Sequence, residues 1–290
     1  MTYQYSLEEG SKKYECPNCK KKRYVRYVHN QTKEYADYQF GRCDREHECG
    51  YHLYPTSKTI DTPSYFTDNK PTMEISYVSS ATVESTLCNY ETNAFVMFLK
   101  TVYNEKMVND VLTKYMVGTS DKYGGSPIFW QIDEKNKTRS GKIMGYDKAT
   151  GKRIKTNNST PQITYFHTAT SIPDFNFTQC IFGAHLIKDD EINYAIVESE
   201  KTALIMSLEM PEYLWLSVNG KGGFKESMLK PLRGKKVVAF PDKGCYEDWE
   251  KIANSINDFG YNIQVSKVIE SLSVESGADI ADVFLEFNAK

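Results

Sequence analysis

No stretch of the 290-residue chain approaches the roughly 18 consecutive apolar residues that a membrane span needs. The opening segment, Met1 to Gly10, lacks the basic start and apolar centre of a secretory signal. Both absences point to a soluble protein of the cytoplasm with no membrane partner. An excess of charge of either sign is also missing: 36 Lys and Arg stand against 38 Asp and Glu, a net charge of −2, so bulk charge neither demands nor excludes a polyanionic partner. Proline is sparse, 10 in all, and three of the ten (Pro55, Pro63, Pro71) fall in one polar stretch between Tyr54 and Tyr77, which reads as a semi-rigid linker. What remains is ordinary globular composition, 40% hydrophobic and 26% charged, in a chain long enough for two modest domains and a small module.

Charge is segregated along the chain. Residues 135 to 155 hold eight Lys or Arg against one acid, Asp147, whereas residues 237 to 290 hold four Lys and ten Asp or Glu. Basic segments that precede an acidic one suit a protein that guides phosphates toward a bound cation, although such runs also serve as plain solvated faces.

Four of the seven cysteines lie in the first 49 residues, as Cys16-Pro17-Asn18-Cys19 and as Cys43 and Cys49 with five residues between them. In a reducing compartment such pairs are zinc ligands more often than disulfides, and a Cys-x-x-Cys knuckle with a second pair downstream completes a tetrahedron. The wide second pair leaves His47 or His52 as alternatives to Cys43 or Cys49. The expected zinc is structural, a staple for a module too small for its own core. Basic and aromatic residues interleave around the knuckle: Lys20, Lys21, Lys22, Arg23 and Arg26 alternate with Tyr14, Tyr24 and Tyr27. Cations for phosphates beside rings for unpaired bases are what a single-strand binder needs, and tyrosines are equally common in any small β-ribbon. Cys88, Cys180 and Cys245 are isolated and read as small hydrophobes.

Residues 91 to 117 show helical spacing of apolar positions, and after Gly124-Gly125 the pattern turns β-like over 127 to 132 and 141 to 146. From Tyr194 strands and helices alternate: strand 194 to 198, helix 199 to 208, strand 213 to 218, strand 235 to 240, helix 245 to 257, strand 262 to 269 and a short helix 280 to 287. Alternation of this kind implies right-handed crossovers and a mainly parallel sheet. The expected fold class is therefore α/β, or α+β overall, with a zinc ribbon at 1–55, a linker at 56–78, a mixed α+β subdomain at 79–190 and a parallel α/β domain at 191–290.

Acids close three β-like runs of the last domain: Glu198 after Tyr194-Ala195-Ile196-Val197, Asp242 after Val237-Val238-Ala239-Phe240-Pro241, and Asp279 in Gly277-Ala278-Asp279-Ile280-Ala281-Asp282. Carboxylates at the C-terminal ends of neighbouring strands converge on the crevice where open α/β sheets bind ligands. Oxygen donors of this kind suit Mg2+ or Mn2+, which keep positions open for phosphate and water. Glu198, Asp242 and Asp279 are the expected metal ligands, with Glu198 also able to serve as a general base and Asp282 as an auxiliary. Lys201, Lys221 and Lys243 are placed to neutralise phosphate, and Lys142, Lys148 and Arg153 with the basic residues of the ribbon to contact nucleic acid. The bland alternative is that each acid merely caps a helix.

Ile196-Val197-Glu198-Ser199-Glu200-Lys201-Thr202-Ala203, Phe240-Pro241-Asp242-Lys243-Gly244 and Asp279-Ile280-Ala281-Asp282 resemble the three acidic motifs of TOPRIM domains, found in primases, topoisomerases and some nucleases. Cys16 to Cys49 resembles a primase zinc-binding domain, and Ile128 to Tyr146 the β-rich part of the primase core. The order of parts resembles primases of phages and mobile elements. Two departures stand out: Ser199 where the first motif has Gly, and Gly244 where the second motif, Asp-x-Asp, has its second acid. Ser can cap a helix at that turn, and Glu247 or Asp248 could substitute for the missing acid. The resemblance implies a metal-dependent nucleotidyltransferase that makes short RNA primers on single-stranded DNA from nucleoside triphosphates, with a replicative helicase as a candidate partner. Because the chain stops soon after the last motif, no helicase-binding C-terminal domain is expected. A TOPRIM phosphodiesterase and a degenerate nucleic-acid-binding accessory protein are the competing expectations.

Overall fold

The computed structural model describes residues 4–45, 49–55, 74–156, 160–188 and 192–288. The chain divides into two compact units, Met1–Lys70 and Pro71–Lys290. Most of the expected linker, 56–73, lies outside the described residues, as does His47. Residues 76 and 78 belong to the second unit, where the Ser76 N–H donates to the Asn176 carbonyl at 3.1 Å and the Val78 N–H to the Thr138 carbonyl at 2.8 Å.

The first unit is a small β-ribbon: β1 (Tyr5–Leu7), β2 (Tyr14–Glu15), β3 (Lys22–His29), β4 (Gly41–Cys43) and β5 (His52–Leu53), ordered β1-β3-β4-β5 with β2 also on β3, and every pair antiparallel. Its core is Cys16, Tyr24 and Cys43. Gly41 is required at its place: a Cβ there would lie 2.3 Å from the Val25 carbonyl oxygen and 2.4 Å from the Tyr24 ring.

The second unit holds two four-stranded sheets. After α1 (Ser80–Glu84) the expected single helix over 91–117 is two, α2 (Ala94–Val102) and α3 (Glu105–Tyr115). Tyr103 is extended, and the Asn104 side chain caps the second helix by accepting from the Lys106 N–H at 2.9 Å, so a local cap overrides continuous periodicity. An antiparallel sheet follows: β6 (Val117–Ser120), β7 (Ser126–Ile132), β8 (Thr138–Met144) and β9 (Ile163–Tyr165), then the single turn α4 (Phe166–Ala169).

The remaining elements are β10 (Asn193–Val197), α5 (Glu200–Glu209), β11 (Tyr213–Ser217), α6 (Glu226–Leu229), β12 (Lys236–Ala239), α7 (Tyr246–Asn257), β13 (Asn262–Val265), α8 (Val268–Ser271) and α9 (Ile280–Asn288). The sheet order is β11-β10-β12-β13 and all three pairs are parallel, as the alternation implies. The expected strand 262–269 stops at Val265, because Ser266 turns the chain: its hydroxyl accepts the Val268 N–H at 3.3 Å and starts α8.

One face of the parallel sheet packs on α5 and shares a continuous core with α2, α3 and α9, through Phe95, Leu99, Leu112, Tyr115, Val197, Leu204 and Trp215. The Tyr115 hydroxyl, 2.9 Å from Ser207 Oγ, donates to the Trp215 carbonyl at 2.7 Å, so this junction is held by hydrogen bonds as well as burial. The opposite face carries α7, with Trp249 stacked on Phe224 at 4.1 Å between ring centroids.

Candidate functional site

In the ribbon, the Sγ atoms of Cys16, Cys19, Cys43 and Cys49 all lie within 4.8 Å of one another. Cys16 to Cys49 is 3.7 Å and Cys19 to Cys43 is 3.9 Å. Those spacings are far beyond an S–S bond, and they match the roughly 3.8 Å edge of a sulfur tetrahedron with Zn–S of about 2.3 Å. The four cysteines fit a structural zinc site. His52 is used elsewhere: its Nε2 lies 2.9 Å from the Tyr27 hydroxyl and its ring lies against Tyr54. Burial pushes the Cys43 thiol up to about 12 and raises Cys16, while the Lys21 backbone N–H pulls Cys19 down to about 6, so the set mixes one thiol ready to ionise with two that a cation would have to hold as thiolates.

Lys20, Lys21, Lys22 and Arg23 are exposed beside the knuckle. Arg26 is not a free cation. Its Nη2 donates to the Ala36 carbonyl at 2.7 Å, and its guanidinium stacks 4.6 Å from the Tyr35 ring centroid and 5.1 Å from that of Tyr38. Tyr35 and Tyr38, each 43% exposed, form an aromatic face against Arg26 that only the folded hairpin assembles.

In the second unit β10 and β12 are parallel neighbours paired Ile196 to Ala239, so Glu198 and Asp242 leave adjacent strands at the same sheet edge. The Lys243 N–H donates to the Ala278 carbonyl at 2.9 Å and the Gly277 N–H to the Lys243 carbonyl at 3.0 Å, which brings Asp279 beside Asp242. Charge acts between these groups. Burial and then the charges of Glu198, Asp279 and Asp282 push the Asp242 carboxyl up to about 8. Burial raises Glu198 against the pull of Arg153 and Lys221, and burial followed by Asp282 raises Asp279.

Local sequence explains the placement. Ser199, where glycine stands in the resembled motif, is the N-cap of α5: it is extended, and its Oγ accepts the Thr202 N–H at 3.2 Å. The Thr202 hydroxyl donates to Asp279 Oδ2 at 2.6 Å. Asp279 Oδ1 accepts the Asp282 N–H at 2.9 Å and Asp282 Oδ2 accepts the Asp279 N–H at 3.2 Å, a reciprocal capping box at the start of α9. Helix capping is therefore realised at this pair.

The cations are distributed unevenly. Arg153 reaches the rim: its charge acts on both Glu198 and Asp242. It stands on a tight turn in which Asp147 Oδ1 accepts the Ala149 and Thr150 N–H groups at 3.0 and 2.8 Å, and Gly151, at φ +64°, lies where a Cβ would be 2.4 Å from the Phe98 ring. Lys148 stays exposed in that turn. Lys221 acts on Glu198 through its charge and its backbone N–H. Lys201 Nζ lies 3.4 Å from Asp282 Oδ1. Lys243 corrects the expectation of a phosphate contact: its ammonium donates at 2.7 Å to the carbonyls of Glu270 and Leu272. Lys142 is likewise no surface cation. It is buried, with Nζ 2.9 Å from Glu200 Oε2, and Glu200 is only 1% exposed. Gly244, at φ +89°, donates its N–H to Glu270 Oε2 at 2.8 Å, while Glu247 and Asp248 are exposed on the first turn of α7.

A cavity of about 580 Å3 lies beside Asp282, walled by Thr150, Lys152, Lys201, Val274 and Ser276 among others, and its lining does not include Glu198, Asp242 or Asp279. Among the described residues no helix is long and apolar enough to cross a membrane.

Residues 3–64 match a family described as a zinc beta-ribbon finger. No curated protein matches the chain in sequence. Solved structures similar to it are primases. The primase fragment of the bacteriophage T7 primase-helicase protein is 14% identical with a TM-score of 0.39, over 62% of this chain and 66% of that one, so the chain spans just under two thirds of the fragment. The E. coli primase catalytic core is 8% identical with a TM-score of 0.44, over 71% of this chain and 74% of that one. A DNA primase domain from Pseudomonas aeruginosa is 9% identical with a TM-score of 0.35, over 66% of this chain and 58% of that one. The chain belongs to the family described as a domain of unknown function (DUF6371), whose model matches residues 93–243.

Proposed function

We propose that this member of a family of unknown function is a primase-like, divalent-metal-dependent nucleotidyltransferase that makes short RNA primers on single-stranded DNA, in the replication of a phage, plasmid or other mobile element. The observation that carries the reading is that Glu198 and Asp242 leave adjacent parallel strands at one sheet edge, with Asp279 next to the loop tied to Asp242 and the charge of Arg153 acting on both. Asp242, pushed up by burial and by the charges of Glu198, Asp279 and Asp282, is short of positive charge, and the hard oxygen donors at this edge suit Mg2+ or Mn2+. Bound there, the ion supplies charge neutralisation for a polyphosphate. Arg153 and Lys221 complete the neutralisation from the protein side. In the ribbon, the exposed Lys20 to Arg23 run contacts phosphates and the Tyr35 and Tyr38 rings offer stacking surfaces to unpaired bases.

Glu198→Gln and Asp242→Asn are expected to abolish primer synthesis with unchanged circular dichroism and unchanged binding of single-stranded DNA. Synthesis that persists in either variant refutes the site. A second reading, a nucleic-acid-binding accessory protein without catalysis, is favoured by Gly244, which leaves the second motif with one acid. It is separated from the first by strands that stay unchanged with metal and nucleoside triphosphates.

A further inference from the structure

We infer that Lys142 is a positioning residue: together with Glu200 and the backbone of Asn219 it forms a buried clamp that sets where Glu198 and the Lys221 loop stand at the edge of the parallel sheet. The inference rests on the reading above for what Glu198 does, and on hydrogen bonds alone for the clamp. Lys142 lies on β8, in the antiparallel sheet, and its ammonium donates to two other segments, to Glu200 Oε2 at 2.9 Å and to the Asn219 carbonyl at 3.4 Å. Glu200 is the first residue of α5, two places after Glu198. Asn219 stands in the loop after β11, and that loop holds the Glu198 carbonyl with two donors, the Ser217 hydroxyl at 3.0 Å and the Gly220 N–H at 2.9 Å. Asn219 is left-handed, at φ +66°, and its side-chain amide donates to the Cys180 carbonyl at 2.6 Å. The Cys180 N–H in turn donates at 3.3 Å to Gln131 Oε1, back on β7 of the antiparallel sheet. Glu198 is thus bracketed by two chain segments, and Lys142 bonds to both.

Stability does not account for the pair. Lys142 and Glu200 are 5% and 1% exposed, and Glu200 Oε1, Asn219 Oδ1 and Gln131 Nε2 are buried with no hydrogen-bond partner among the described residues. A buried charge pair with an unmatched oxygen is no more stable than apolar side chains of similar volume, which would join β8 to α5 equally well. What apolar groups lack is direction. An ammonium shared between two acceptors fixes both of them relative to one strand, and a displacement of about 1 Å at a reacting group is enough to lower a rate about 100-fold.

The test replaces the pair by apolar groups, Lys142→Met with Glu200→Leu, in the zinc-loaded full chain, and follows amide hydrogen exchange by mass spectrometry. Exchange at Val218 and Gly220, whose N–H groups donate to the Val197 and Glu198 carbonyls, should quicken by about tenfold or more while α7 exchanges as in the wild type. In primer synthesis the same double variant should lose about 100-fold in kcat, with the KM for nucleoside triphosphates changed by less than about threefold. Glu200→Gln, which keeps an acceptor for Lys142, should stay within about tenfold of the wild-type kcat. If the double variant folds poorly, Lys142→Leu with Glu200→Met is read in the same way. Wild-type exchange in the 217–221 loop, a wild-type kcat in the folded double variant, or a loss confined to KM would reduce the pair to packing or substrate binding and overturn the inference. A wild type that makes no primers removes the reading above, and the exchange result then decides the clamp by itself.

Discussion

Asp242 carries the rim's electrostatic cost. Its carboxyl is pushed from the ordinary aspartate range up to about 8 by burial and by its acidic neighbours. A raised carboxyl binds its proton more tightly in the folded state, so its contribution to stability is present at low pH and is lost as pH rises through about 4 toward 8. The metal-free chain should therefore lose stability between pH 5 and pH 8 through this group, and Mg2+ should restore it at pH 8 more than at pH 5. Asp242→Asn should raise the midpoint of the metal-free chain at pH 8 by roughly 2–6 °C and by less at pH 5, measured by calorimetry. An unchanged midpoint at pH 8 would mean that the neighbouring acids do not act on this group. Lys142 and Glu200 form a buried ion pair in which each partner neutralises the other. Lys142→Met should destabilise by about 3–5 kcal/mol in urea, because Glu200 is left charged and buried, and pairing it with Glu200→Leu should recover most of the loss.

Elements place these residues, and the elements with strong periodicity were legible in the chain. The alternation after Tyr194 gave a parallel sheet, and Glu198 and Asp242 follow its strands β10 and β12, because strand ends and helix starts carry their own local signals; Asp279, expected after a β-like run, instead follows α8 and a loop at the start of α9. What was hidden depends on partners far apart in sequence. Nothing near Lys142 says that it folds under Glu200, 58 residues on. The Lys243 ammonium is claimed by carbonyls of α8, a helix of four residues too short to announce itself. The break between α2 and α3 needed only Asn104, yet a continuous apolar stripe outweighed a single capping residue on reading. Ser199 shows the converse, a departure from the resembled motif whose local chemistry was readable: Ser199→Ala should cost about 1 kcal/mol through loss of the α5 cap, seen in thermal unfolding.

At the scale of the molecule, two units have separate sources of stability. The ribbon buries little beyond Cys16, Tyr24 and Cys43, whereas the second unit has continuous cores on both faces of its parallel sheet. Stripping zinc with a chelator should unfold the ribbon and expose residues 4–55 to protease, while the second unit keeps its own cooperative transition. Single-strand binding should fall with the ribbon. The cysteine spacing made this unit legible, and only the folded hairpin brings Tyr35 and Tyr38 to Arg26.

The claim that the rim builds nucleic acid is tested most directly by incubating the pure protein with labelled single-stranded DNA, nucleoside triphosphates and Mg2+ or Mn2+, and resolving the products by length. New RNA oligonucleotides that appear only when both metal and triphosphates are present are the predicted result. Labelled strands that emerge shortened, or that emerge unchanged under every combination of metal and nucleotide, would contradict it.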